Sequence, residues 1–219
     1  MKEQATAIDF MSKKTKFKIA GLPKAQGLYN PVNEHDACGV GLVLDIKNRP
    51  SFDIVEKGLA MLCNLEHRGA VGADPKAGDG SGLLIQIPHK FLEKKVSNTF
   101  SIPKPGEYAV GVFFIPNNEN DERKIKTLIE KVCLKEKIKI LGWRLCPTYT
   151  KELGWSVLSS TPIVYQLFLE KPEKEKSQDD FEKKLYILRR CIEKEVLEIS
   201  NQIKEGFYIP SLSSRTILY

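Results

Sequence analysis

Short apolar runs alternating with long amphipathic segments are the feature that most constrains how this 219-residue chain can fold. In segments 121–136 and 179–200, apolar residues recur every three or four positions, which predicts two helices with one buried face each. Runs rich in β-branched and aromatic residues predict strands at 38–46, 83–87, 108–115, 138–145, 163–169 and 216–219. Because the strands come in pairs between helices, the pattern favours a layered α+β fold over a doubly wound parallel sheet.

A further helix is predicted to begin after Ser51, a common N-cap residue, and to run to about Glu66. Arg68 and Gly69 follow, and such a pair commonly ends a helix, because a cation complements the helix dipole and glycine adopts a left-handed conformation. A loop rich in glycine and aspartate then covers residues 69–82. Arg68 thus has a structural interpretation, as a helix end, and a functional one, as a guanidinium that clamps a substrate carboxylate beside this loop.

Composition and charge exclude several classes of protein. The chain has 34 basic and 28 acidic residues, but 27 of the basic ones are lysines interleaved with glutamates, which indicates solvated surface rather than nucleic-acid binding. No run approaches the ~20 apolar residues of a membrane span, and residues 1–37 are basic without the apolar core of a secretory signal. The five cysteines are odd in number and irregularly spaced, so we expect no disulfide framework and a cytoplasmic location.

A zinc site is an alternative raised by the spacing of histidines and cysteines. His35 and Cys38 are three residues apart, and Cys63 and His67 are four apart on the predicted helix. Cys63, however, lies on the apolar face of that helix, where a free cysteine usually behaves as a small hydrophobic residue. No other cysteine pair has ligand spacing, and we therefore predict no metal site.

Cys38 stands where an irregular polar segment changes to an apolar run, between the small residues Ala37 and Gly39. In one interpretation it is a buried strand cysteine. In the other, cleavage between Ala37 and Cys38 leaves a thiol nucleophile beside its own free α-amine. Such an amine has a pKa of about 7.7–8.0 and can accept the thiol proton, whereas the amide nitrogen of an uncut chain cannot. These residues alone leave both interpretations open.

Several ordered motifs across residues 27–88 resemble one family. The motifs are Gly27-Leu28-Tyr29, His35–Gly41, Leu65–Ala70, Gly72–Asp74 and Gly78–Gly82, with a later segment at Ser211–Tyr219. In this combination the chain resembles the class II, N-terminal-nucleophile glutamine amidotransferase domain that begins the large subunit of glutamate synthases. A different amidotransferase of the same class fits these motifs less well.

The resemblance implies a fold, a domain organisation and partners. The implied fold is a four-layer αββα sandwich of the N-terminal-nucleophile hydrolase type. Residues 1–37 are then a propeptide, and residues 38–219 the amidotransferase domain. The implied partners are glutamine and the remaining glutamate synthase domains, or a downstream chain. Those domains add ammonia to 2-oxoglutarate with FMN and an iron–sulfur cluster, and this chain is expected to hold no cofactor.

The resemblance also implies the roles of individual residues. Ala37 precedes the processed bond, and Cys38 attacks the side-chain amide of glutamine, forms a thioester and releases ammonia. Arg68 matches the arginine that binds the α-carboxylate of glutamine. Asp79 and Gly80 match a loop close to the site and receive weaker substrate-binding roles.

The end of the chain departs from the family pattern. The oxyanion-hole Asn-Gly pair and the aspartate that binds the substrate amine come later in the family than the segment matched by Ser211–Tyr219. We therefore expect a C-terminally incomplete domain. Loss of one oxyanion donor lowers the rate ~10²- to 10³-fold, so the isolated chain is expected to have little glutaminase activity. The alternative function is a catalytically silent module that keeps the fold and binds glutamine or a partner.

Overall fold

The computed structural model describes residues 26–27, 39–66, 73–78, 80–199 and 206–218. Contacts divide the chain into two units, Met1–Leu83 and Leu84–Tyr219. The described helices are α1 (Phe52–Asn64), α2 (His89–Val96), α3 (Glu119–Lys135), α4 (Trp155–Leu158) and α5 (Gln178–Leu197). The described strands are β1 (Leu84–Gln86), β2 (Tyr108–Ile115), β3 (Ile140–Leu145), β4 (Ile163–Glu170), β5 (Tyr208–Ser213) and β6 (Thr216–Leu218).

Helix α1 in the first unit follows Ser51, as the sequence predicts, but ends earlier than expected. The backbone of Ser51 is extended, as at an N-cap, although its side chain makes no capping hydrogen bond. The last helical residue is Asn64, and the N–H of Leu65 donates to carbonyl oxygens of the final turn. The helix is thus two residues shorter than the predicted end near Glu66, and Arg68 and Gly69, which were predicted to stop it, lie outside the described residues.

The strand predicted at 38–46 is absent from the part of it that the structure describes, residues 39–46. The side chains of Val40 and Ile46 are 93% and 95% exposed. A Cβ atom on Gly39 would lie 2.8 Å from a methyl group of Leu65, and one on Gly41 would overlap Met61, so the glycine face of the segment lies against the end of α1. An apolar run becomes a strand only where another strand supplies ladder hydrogen bonds, and the described residues supply none here.

A four-stranded antiparallel sheet with strand order β3-β4-β2-β5 is the framework of the second unit. The central strand β2 pairs with β4 along its whole length, from Tyr108 opposite Glu170 to Ile115 opposite Ile163. β1 and β6 form a separate two-stranded antiparallel sheet. The chain passes from the larger sheet to the smaller one at the corner between β5 and β6.

Both faces of the four-stranded sheet are covered, which explains the nearly continuous apolar sequence of β2. Successive side chains of a strand point to opposite faces. Ala109 and Phe113 belong to the core formed with α3 and α5, whereas Tyr108 and Val110 belong to the core formed with α2 and β6. The layers of this unit are therefore the pair α3 and α5, the four-stranded sheet, and then α2 with the two-stranded sheet.

Helices α3 and α5 confirm the predicted amphipathic segments. Their buried apolar residues are Ile125, Ile129, Val132, Cys133, Phe181, Leu185, Leu188, Ile192 and Val196. Each helix has a side-chain cap: Asn118 Oδ1 accepts the N–H groups of Asn120 and Asp121, and Ser177 Oγ accepts the N–H of Asp180.

The strands predicted at 83–87, 108–115, 138–145, 163–169 and 216–219 correspond to β1, β2, β3, β4 and β6. The sequence did not predict α2, α4 or β5. No helix within the described ranges is both long enough and apolar enough to cross a membrane.

Candidate active site

Most of the predicted site residues, namely Ala37, Cys38, Arg68 and Asp79, lie outside the described residues. The structure does describe Gly80, which is exposed and has open space where a Cβ atom would stand. The structure therefore describes the candidate site through the residues that flank Cys38 and Arg68 in the chain.

The described flanks of Cys38 and Arg68 lie against each other. Gly39 directly follows Cys38, and Leu65 precedes Arg68 by three residues. A Cβ atom on Gly39 would lie 2.8 Å from Leu65 Cδ2, and one on Gly41 would overlap the thioether of Met61. Glycine at both positions thus permits a close approach to the last two turns of α1 that a larger residue would oppose.

The loop that precedes Gly80 contains a turn around Asp74, whose side chain is buried. Its carboxylate Oδ1 accepts the N–H of Lys76 at 3.1 Å, and its carbonyl oxygen accepts the N–H of Ala77 at 3.0 Å. A short aspartate side chain that bonds the backbone two residues later is a common turn former. Asp74 therefore has a structural role in holding residues 73–78 in a compact turn.

The cysteines that the structure describes are poor candidates for the nucleophile. Burial raises the pKa of Cys133 to about 12 and also raises the pKa of Cys146. Cys63 and Cys191 are half-buried on α1 and α5, and all four of these thiols are free. A nucleophilic cysteine needs a lowered pKa or an adjacent base, which keeps Cys38 as the candidate.

No group of three His, Cys, Asp or Glu side chains within the described ranges is placed to hold a metal ion. Three of the four ligands considered for zinc, His35, Cys38 and His67, fall outside those ranges.

A polar cluster lies at the corner between β5 and β6, and the sequence did not predict it. Ser214 is buried, and both its N–H and its Oγ–H donate to Glu182 Oε1 at 2.6 Å. Gln178 Nε2 donates to Ser214 Oγ at 3.2 Å, so two residues of α5 fix this corner. The only signal in the sequence is the Ser211–Tyr219 motif, whose serines prove to anchor the passage between the two sheets.

The family comparison covers the same part of the chain as the predicted domain. Residues 38–219 match the family model described as class-II glutamine amidotransferases. The chain belongs to this family. The second unit of this class-II glutamine amidotransferase contains the antiparallel sheets and the helical layer. The match to the family begins at Cys38.

Similar proteins include three glutamate synthases. The chain is 42% identical over 200 residues to the glutamate synthase (NADPH) large chain of Bacillus subtilis (strain 168), which covers 90% of this chain and 13% of that protein. It is 39% identical over 197 residues to the chloroplastic ferredoxin-dependent glutamate synthase of Oryza sativa subsp. japonica, covering 90% of this chain and 12% of that protein. It is 38% identical over 206 residues to the glutamate synthase (NADH) of Schizosaccharomyces pombe, covering 90% of this chain and 9% of that protein. The chain thus spans about one eighth or less of the length of these relatives.

Proposed function

We propose that this class-II glutamine amidotransferase is the glutaminase part of a glutamate synthase. The observation that carries the proposal is the boundary of the family match, which begins at Cys38. Cys38 is the residue whose exposure as an N-terminus would create both the nucleophile and its base. The bacterial, plant and yeast relatives all bear the name glutamate synthase, which supports that enzyme over another member of the class.

In the proposed reaction, the free α-amine of Cys38 accepts the thiol proton, and the thiolate attacks the side-chain carbonyl carbon of glutamine. The tetrahedral intermediate collapses with cleavage of the C–N bond. The α-ammonium group protonates the departing nitrogen, so ammonia leaves and a γ-glutamyl thioester remains on Cys38. Water, losing its proton to the same amine, then hydrolyses the thioester to glutamate and the free thiol.

Substrate binding is assigned to the residues around the end of α1. Arg68 binds the α-carboxylate of glutamine, because a guanidinium matches the bidentate geometry of a carboxylate. The approach of Gly39 to Leu65 supports this role, since it brings together the chain segments that flank Cys38 and Arg68. Asp79 and Gly80 have weaker roles, and the open space at Gly80 is compatible with a ligand close to the backbone.

We further propose that residues 1–37 are a propeptide and that residues 38–219 adopt the four-layer αββα sandwich. The sequence of helical layer, four-stranded sheet and two-stranded sheet within residues 84–219 supports that fold. The ammonia produced adds to 2-oxoglutarate in a synthase part, to which FMN and the iron–sulfur cluster belong. A cytoplasmic location agrees with the four free thiols of the described residues.

The proposal is tested by labelling with 6-diazo-5-oxo-L-norleucine, a diazoketone analogue of glutamine, followed by peptide mass spectrometry. The label is expected on Cys38 in a chain whose first residue is Cys38. Cys38→Ala should abolish labelling, whereas the matched variant Cys191→Ala should retain it. Arg68→Lys should slow labelling about tenfold or more, because hydrogen bonds to charged groups are strong.

Labelling of another cysteine, or retention of Met1 in labelled protein, would overturn the proposed nucleophile. The alternative, a silent glutamine-binding module, predicts that glutamine raises the melting temperature while Cys38 stays unlabelled.

A further inference from the structure

The connection between β3 and β4 is much longer than a turn between neighbouring antiparallel strands requires. Hairpin loops commonly have about 2–5 residues, whereas this connection spans residues 146–162. Apart from the four-residue helix α4 this connection has no regular structure, and ordered loops of such length in compact domains are usually functional. Together with Leu145, the last residue of β3, these residues are called here the β3–β4 segment.

The β3–β4 segment differs from the rest of the surface in composition. Charged residues make up 28% of the whole chain, but Lys151 and Glu152 are the only ones in this segment. The segment nevertheless exposes four large apolar side chains, those of Leu145, Tyr149, Trp155 and Leu158. Trp155 is 75% exposed. Several exposed large apolar side chains in one segment that is poor in charge are typical of an interaction site rather than of solvated surface.

Local contacts of helix α4 leave the side chains of Trp155 and Leu158 exposed to solvent. Gly154 is buried and Val157 is half-buried, so one side of helix α4 faces the protein. The N–H of Val157 donates to the carbonyl oxygen of Gly154, and the hydroxyl of Thr161 donates to the carbonyl oxygen of Val157. Trp155 and Leu158 are three residues apart and thus share a helix face, which is the exposed one.

The relatives supply the reason for a partner. The chain matches only 9–13% of their length, so each relative has many further residues, to which the proposed function assigns the synthase part. A competing docking surface is the groove of about 680 Å³ between α3 and α5, but its rim carries Lys124, Lys131 and Lys135. Interface centres are enriched in tryptophan and tyrosine and depleted in lysine, so the β3–β4 segment is the better candidate.

We propose that the β3–β4 segment docks the amidotransferase domain onto an apolar surface of the synthase part of glutamate synthase. This inference rests on the proposed function, which requires such a part. Trp155 and Leu158 enter an apolar depression of the synthase part. Tyr149 and Leu145 cover its edge, and Lys151 and Glu152 stay at the solvated rim.

The test is photocrosslinking in the holoenzyme, the assembly that contains both this chain and the synthase part. The two parts can belong to one polypeptide or to two. Trp155→p-benzoylphenylalanine should cross-link to the synthase part. The matched control is Tyr186→p-benzoylphenylalanine, because Tyr186 is an aromatic residue of α5 with similar exposure. The yield from position 155 should exceed that from position 186 at least ~10-fold, as expected for a central interface residue. Cross-links from 155 only to other residues of the amidotransferase domain or to a second copy of this chain, or equal yields from both positions, would overturn the docking surface.

A second measurement compares amide hydrogen exchange of residues 145–162 in the isolated chain and in the holoenzyme. Slower exchange in the holoenzyme is expected, and the double variant Trp155→Ala with Leu158→Ala should lose that protection. Labelling of Cys38 in the same samples separates the two proposals. Labelled Cys38 without a cross-link rejects the docking surface alone, whereas a cross-link without labelling rejects the glutaminase chemistry alone.

Discussion

The carboxylate of Glu122 accepts two short hydrogen bonds, one from within helix α3 and one that connects this helix to the sheet. Its Oε1 accepts from Lys126 Nζ and from the hydroxyl of Tyr165 on β4, each at 2.7 Å. The ammonium group of Lys126 also lies 3.6 Å from the centre of the Tyr165 ring. These two hydrogen bonds hold the pKa of Glu122 below its ordinary value of 4.5, and the bond from Lys126 has the larger effect. The charged form of Glu122 therefore stabilises the folded state.

Glu122→Gln should lower the free energy of unfolding by ~1–2 kcal/mol at pH 7, because it weakens hydrogen bonds to a charged group. A carboxyl whose pKa is lowered by folding contributes its full stabilisation above its unfolded pKa and loses it as the pH falls through the folded value. The difference between the variant and the wild type should thus shrink in acid. Urea unfolding at pH 7 and pH 3 measures it, with Glu130→Gln, an exposed change on the same helix, as control. An equal difference at both pH values would contradict this prediction.

Half of this arrangement can be predicted from the sequence. Glu122 and Lys126 are four residues apart on a predicted helix, a spacing that brings their side chains together. Tyr165 is 43 residues from Glu122 in the chain, and only the packing of α3 on β4 brings them into contact. The same limit applies to Ser214 and Glu182, which are 32 residues apart. Sequence patterns report local neighbours, whereas pairs of this kind depend on the finished fold.

Two apolar runs with the same predicted conformation behave differently. Residues 108–115 form β2, which has a paired strand on each side and a hydrophobic core on each face. Residues 39–46 form no strand, because their glycine face lies against α1 and no described strand is paired with them. The period of the apolar residues indicates an extended chain in both cases. It does not encode the partner strand, and this is why one prediction is confirmed and the other is wrong.

The elements missed by the sequence are those with weak local signals. Strand β5 contains Pro210, and proline within an apolar run argues against a strand. Helix α4 has only four residues, too few to show a helical period. The long helices α3 and α5 are predicted well because their periodicity extends over three or more turns.

Capping offers a direct test of how these helices are stabilised. The side chain of Asn118 accepts two backbone N–H groups at the start of α3, whereas the side chain of Ser51 accepts none at the start of α1. Asn118→Ala should therefore lower the free energy of unfolding by ~1 kcal/mol, and Ser51→Ala should change it by less than ~0.5 kcal/mol. Ser177→Ala at the start of α5 should resemble Asn118→Ala. Equal losses at Asn118 and Ser51, measured by urea unfolding, would show that side-chain capping does not explain the stability of α3.

The hydrophobic core and the proposed catalytic residues belong to different units of the chain. Among the described residues, every buried apolar side chain lies between Leu92 and Ile217, within the second unit. Cys38, Arg68, Asp79 and Gly80 belong to the first. Motif order was therefore sufficient to identify the family, but the apolar periodicity that predicts a fold is concentrated in the other unit. The strands predicted in the second unit are accordingly confirmed, whereas the strand predicted at 38–46 is absent from residues 39–46.

This separation predicts that a fragment of residues 84–219 folds without the first unit. Its two cores use residues of the second unit only, and β1 is present to pair with β6. Its circular dichroism should indicate native helix and strand content, with one cooperative urea transition.

A shorter fragment, residues 108–219, provides the matched control. It lacks β1 and α2, and therefore the side chains of Leu92 and Val96 that cover Tyr108 and Val110 on the second face of the sheet. Each buried aliphatic side chain contributes ~1.5–3 kcal/mol, so the shorter fragment should be at least ~3 kcal/mol less stable than residues 84–219. Equal stability of the two fragments would mean that the core formed with α2 contributes little. An unfolded 84–219 fragment would mean that the first unit is required to assemble the sheet.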